Sequence, residues 1–66
     1  MITLGDLLSI YCGGPVSIHR GTTQLYFGPA SFVELRLKLC TVDHFYYHIA
    51  DSYNCLVIGL KEIPND

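Results

Sequence analysis

Two glycine–proline breaks, Gly13-Gly14-Pro15 and Gly28-Pro29, constrain this chain more than any other feature. Proline lacks a backbone donor and clashes with a preceding helical turn, and glycine commonly ends helices. Regular structure therefore stops at both breaks. A chain of only 66 residues is cut into short elements, enough for one small domain, residues 1–66.

Before the first break, "TLGDLLSIY" (3–11) reads as a short helix. Thr3 is its N-cap, with Asp6 at the third helical position as a weaker form of the capping box. Leu4, Leu7, Leu8 and Tyr11 recur at helical spacing and define one apolar face. Between the breaks, "PVSIHR" (15–20) alternates as a strand does, with Val16 and Ile18 on one side and Ser17 and His19 on the other. "GTT" is a turn, and "QLYF" resumes the alternation with Leu25 and Phe27 inward and Tyr26 outward.

After the second break, "SFVELRLKLC" (31–40) carries two signals. Val33, Leu35, Leu37 and Leu39 alternate with charged residues, as in a strand. Ser31 and Glu34 form an S-x-x-E capping pattern, the composition favours helix, and Phe32, Leu35 and Leu39 share a helical face. A short helix is the favoured reading. "TVDHFYYHIA" (41–50) is rich in β-branched and aromatic residues and predicts a strand. "DSYN" (51–54) is a turn composition, and "CLVIGLKEI" is the partner strand.

The order is thus α-β-β-α-β-β. It predicts an α+β fold: a four-stranded, mainly antiparallel sheet with two short helices on one face. The covered face takes Val16, Ile18, Leu25, Phe27, Phe45, Tyr47, Ile49, Leu56, Ile58 and Leu60. The uncovered face takes Ser17, His19, Tyr26, His44, Tyr46, His48, Cys55 and Val57, with almost no charge.

Composition narrows the function. Half of the residues are apolar and 15% are charged, which is too hydrophobic for a disordered tail. So small a domain has little interior to hide apolar surface, and self-association into a homo-oligomer is the simplest outlet. The formal charge is −2 and the four basic residues are scattered, so no duplex nucleic acid partner is expected. Three cysteines without paired spacing suit small buried hydrophobes in a reducing cytoplasm. No apolar run approaches the roughly 20 residues of a membrane span, and the first residues lack a basic leader pattern.

The uncovered face concentrates the chemistry. His44 and His48 are four apart, but on a strand four residues span about 13 Å, too far for one ion to bridge. No metal site and no cofactor is expected, nor is a catalytic group, because no nucleophile motif is present. Tyrosine and histidine stack on planar rings and hydrogen-bond at their edges. Tyr26, Tyr46, His44 and His48 are therefore the residues to meet a base or ribose, and Arg20 and His19 those to meet a phosphate. Ser31, at the start of the second helix, is either an N-cap or an anion contact. A tyrosine-rich face equally suits a protein interface.

The segments Thr3-Leu4-Gly5-Asp6-Leu7-Leu8, Gly28-Pro29-Ala30-Ser31, Ile49-Ala50-Asp51 and Leu56-Val57-Ile58 together resemble a group of small α+β proteins of phages and mobile elements. These matches are structural punctuation and carry no catalytic residue across. The resemblance implies a phage protein in the host cytoplasm that antagonises antiviral immunity. One mode it implies is a non-enzymatic oligomer that sequesters a small nucleotide-type signal. The other is an anti-CRISPR-like inhibitor contacting a host defence protein, through the same face or the acidic Asp43, Asp51 and Glu62. A structural module with neither ligand nor partner is the third class.

Overall fold

Thr3 starts the first helix as its side chain predicts. Its hydroxyl accepts the Asp6 N–H and the Asp6 carboxylate accepts the Thr3 N–H, each at 3.2 Å. This reciprocal box holds α1 at Leu4–Ile10. The computed structural model describes residues 2–11, 14–49 and 52–64. Cys12, Gly13 of the first expected break, Ala50 at the end of the expected strand and Asp51 of the expected turn lie outside the described residues.

The elements that follow are β1 (Pro15–Arg20), β2 (Thr23–Pro29), a 3-10 turn (Ala30–Phe32), α2 (Leu35–Lys38), β3 (Val42–Ile49) and β4 (Asn54–Leu60). The fold is α+β in the predicted order. Gly21, at φ 62°, sits in the two-residue turn between β1 and β2, where a positive φ matches the twist of the strands. The two hairpins are antiparallel and join through a parallel β1–β4 pairing, in the order β2-β1-β4-β3.

The second helical segment departs from expectation. It divides into the 3-10 turn and the single turn of α2, whose N-cap is Glu34 and which has no side-chain cap. The Ser31–Glu34 capping box is therefore not formed. The buried residues are Val33, Leu37 and Cys40, not the face of Phe32, Leu35 and Leu39, which are 74%, 71% and 69% exposed. Two apolar phases compete in this segment, and contact with Gly5 of α1 selects one. A Cβ on Gly5 would sit 3.3 Å from the Lys38 carbonyl, so the helices approach closely there.

The core lies between the helices and the central strands: Leu4, Leu7, Val16, Ile18, Leu37, Val42, Leu56, Ile58 and Leu60 among others. Two β-bulges phase the outer strands. Ile18 faces Tyr26 while His19 faces Gln24, which leaves Leu25 as the extra residue of β2. The bulge turns both Leu25 and Tyr26 toward the core and rotates Phe27 to the opposite face, beside Ser17. This reverses the expected placement of Tyr26 and Phe27. Three consecutive apolar residues read equally well in either phase, and a one-residue bulge decides between them.

The second bulge skips Asp43, so that Val42 faces Leu60 and His44 faces Gly59. Phe45, Tyr47 and Ile49 then lie opposite Ile58, Leu56 and Asn54, on the helix side as expected. They are not covered, however, being 50%, 50% and 75% exposed. The reason is length. The seven residues of α1 and four of α2 extend only about 10 Å and 6 Å. Eight strand residues of β3 run about 26 Å. The helices cover the central strands and leave the outer one bare.

Candidate functional site

Strand alternation places His44, Tyr46 and His48 on the sheet face away from the helices, and cross-strand pairing sets each on a β4 neighbour: Gly59, Val57 and Cys55. The parallel β1–β4 register brings Ser17 and His19 alongside Val57 and Gly59. Phe27 joins from β2. Tyr53, just before β4, folds over this face with its ring edge-on to Phe27 at 6.2 Å and tilted against His48 at 5.9 Å.

The face holds two adjoining depressions. One, of about 350 Å³, is lined by His19, Arg20, Gly21, Asp43, His44, Tyr46 and Gly59. The other, of about 250 Å³, is lined by Gln24, Phe27, Tyr46, His48 and Tyr53, with Ser17, Cys55 and Val57 deeper in the face. His19 and Tyr46 line both. Beneath them is the buried Ser17, whose hydroxyl accepts from Gln24 Nε2 at 3.3 Å and is 2.7 Å from His19 Nε2. This pairing satisfies the buried hydroxyl and holds the imidazole in place.

The first depression is the charged one. Arg20 is anchored by its Nε donating to the Lys61 carbonyl at 3.1 Å. The His44 ring packs flat over Gly59, where any Cβ would overlap it. Its Nδ1 is 2.9 Å from Asp43 Oδ2. That hydrogen bond, with weaker attraction from Lys61 and Arg20, holds the Asp43 carboxyl below the usual carboxylate range. Asp43 is thus ionised and directed at His44. The Arg20 guanidinium lines this depression beside one carboxylate, and its charge and fixed donors suit a small anion. The second depression is walled by planar rings and suits a flat, partly polar group.

Of the residues singled out from the sequence, His19, Arg20, His44, Tyr46 and His48 come together on this face. Tyr26 does not. It packs against the core on the far side of the sheet and its hydroxyl donates to the Pro29 carbonyl at 2.6 Å. Ser31 does not either. It is exposed beside a separate depression of about 510 Å³ between α1 and the 3-10 turn, with Leu8, Tyr11, Ala30 and Lys38. Phe27 and Tyr53 belong to the site and were not expected in it. Phe27 depends on a bulge that leaves no mark in the sequence. Tyr53 was legible only as an aromatic in a turn next to a histidine strand.

Of the proposed acidic surface, Asp43 is engaged by His44, Glu62 accepts the Thr41 N–H at 3.2 Å, and Asp51 lies outside the described residues. Among the described residues no helix is long and apolar enough to cross a membrane. Compared with protein-family models, curated proteins and solved structures, the chain matches none.

Proposed function

We propose that the open sheet face binds a small nucleotide-type ligand and holds it without transforming it. The observation that carries this reading is the shared wall. His19 and Tyr46 separate a charged depression from an aromatic one, so a single ligand bearing a phosphate and a planar base spans both. Arg20 meets the phosphate, with His19 and His44 as hydrogen-bond donors. Tyr46, Phe27, His48 and Tyr53 enclose the base. The resemblance to small phage proteins supplies the biological setting: a phage protein in the host cytoplasm that sequesters a nucleotide immune signal.

Native mass spectrometry with a panel of cyclic and ADP-ribose-type nucleotides tests this reading. One member of the panel is expected to add whole ligand masses to the folded protein. Stacking on one aromatic contributes about 1–3 kcal/mol, so Tyr46→Ala is expected to weaken that binding about 5- to 150-fold. Tyr46 is 54% exposed in the protomer, so the variant keeps its fold, as circular dichroism will show. Normal binding by a folded Tyr46→Ala protein overturns the reading.

The exposed side chains of Phe32, Leu35 and Leu39 support a second reading, an inhibitor acting by direct contact with a host defence protein. Exposed apolar patches rarely serve a small polar ligand and commonly mark protein contacts. The two readings separate on variants: a protein inhibitor loses its partner with Leu35→Lys and keeps it with Tyr46→Ala.

A further inference from the structure

The two edges of the sheet are built differently. β2 has the defences of a strand that must not pair further: the bulge at Leu25, polar Thr23 and Gln24, and an end at Gly28-Pro29. β3 has none of these over most of its length. Val42–Ile49 contains no proline, lysine or arginine, and its one charge, Asp43, sits at the start. That start is already covered. Thr3 bridges Thr41, and the Val42 N–H donates to the Ile2 carbonyl at 2.9 Å. Among the described residues the bare edge therefore runs from Asp43 to Ile49, and Tyr46 is its midpoint.

The sequence of that edge is symmetric about the same residue. His44 and His48 flank it at two positions, and Phe45 and Tyr47 flank it at one. We infer that a second copy of the chain pairs with the free edge of β3, antiparallel and two-fold about Tyr46, to make one continuous eight-stranded sheet. In this register Tyr46 lies beside the partner's Tyr46, His44 faces the partner's His48, and Phe45 faces the partner's Tyr47. Aromatic meets aromatic on both faces, a pairing that stabilises cross-strand contacts.

Two neighbouring registers fail for stated reasons. A shift of the axis by half a residue would set an open-face side chain opposite a helix-face one, which the pleat forbids. Moving the axis to Phe45 would drive the incoming strand into Ile2 and Thr3. With the axis at Tyr46 the partner's Ile49 ends opposite Asp43, just short of them. The area also suits a dimer. Phe45, Tyr46 and Tyr47 are each half exposed, about 100 Å² apiece. With Ile49, the two histidines and the strand backbone, this is on the order of the 800 Å² per partner of a stable interface. The pairing rests on the edge alone and is independent of the ligand reading.

Sedimentation of the full chain without ligand is expected to give a dimer. Tyr47→Lys, an exposed substitution that leaves the fold intact, is expected to raise the dissociation constant at least about tenfold. Register is read by cysteine cross-linking in a Cys12→Ser background. Tyr46→Cys is expected to form an inter-chain disulfide on mild oxidation. His48→Cys alone is expected to form little, and a mixture of His44→Cys and His48→Cys proteins to link heterotypically. A monomer, a dimer indifferent to Tyr47→Lys, or equal cross-linking by Tyr46→Cys and His48→Cys overturns the proposal. Because no nucleotide is used, these outcomes leave the ligand reading untouched.

Discussion

Asp43 is the residue on which the electrostatics of the open face turn. It is the one carboxylate lining a depression that Arg20, His19 and His44 also line. If a phosphate binds there, Asp43 repels it at close range. Asp43→Asn is then expected to tighten binding of an anionic nucleotide by a few-fold, as calorimetry at low salt will show, because it removes a like charge beside the phosphate whose repulsion salt would screen. Weaker binding would mean that the carboxylate itself contacts the ligand. The same residue carries a pH signature. Its folded value lies below the ordinary carboxyl range because of His44, so its contribution to stability is present above that range. The contribution is lost as pH falls through the lowered value, and Asp43→Asn is expected to flatten that acid limb slightly. Gly59 gives a third test at this scale. Gly59→Ala is expected to lift the His44 ring from its seat and weaken phosphate binding while base stacking on Tyr46 persists, separable with ligands that lack the phosphate.

At the scale of elements, local signals decided what local signals can decide. The Thr3–Asp6 box places α1 within a residue, because both hydrogen bonds close inside one turn. Thr3→Ala is expected to cost about 1 kcal/mol, seen as a lower denaturant midpoint with an unchanged slope. The strands of both hairpins were legible from alternation and turn residues. Phasing was not legible where apolar residues run together. In Leu25-Tyr26-Phe27 the bulge decided which ring reached the open face, and in residues 31–40 packing on α1 chose Val33 and Leu37 over Phe32 and Leu35. A bulge answers to the neighbouring strand, and a one-turn helix answers to the helix beside it, so neither is encoded in its own residues alone.

For the whole molecule the constraint is size. A chain of 66 residues has a stability of about 3–10 kcal/mol, and among the described residues the fully buried large side chains are few: Leu4, Ile18, Ile58 and Val16. Ile58 sits in the centre of the sheet, between β1 and β3. Ile58→Ala is expected to cost about 2–5 kcal/mol and to leave a large unfolded fraction at room temperature, visible as lost sheet signal in circular dichroism. Full folding of that variant would mean that the proposed dimer, not the monomer core, supplies most of the stability.

Sequence alone determined the element order, the α+β class, the capped first helix and the common face of His44, Tyr46 and His48. All of these follow from turn chemistry and from the two-residue period of a strand, which act over a few bonds. Tertiary structure alone decided the parallel pairing of β1 with β4, which brings His19 and Arg20 beside His44. It also decided the two bulges that exchange Phe27 for Tyr26, and the bare edge of β3. Those depend on how far short helices reach across a sheet and on which strands meet, distances between residues that the order of the chain leaves open.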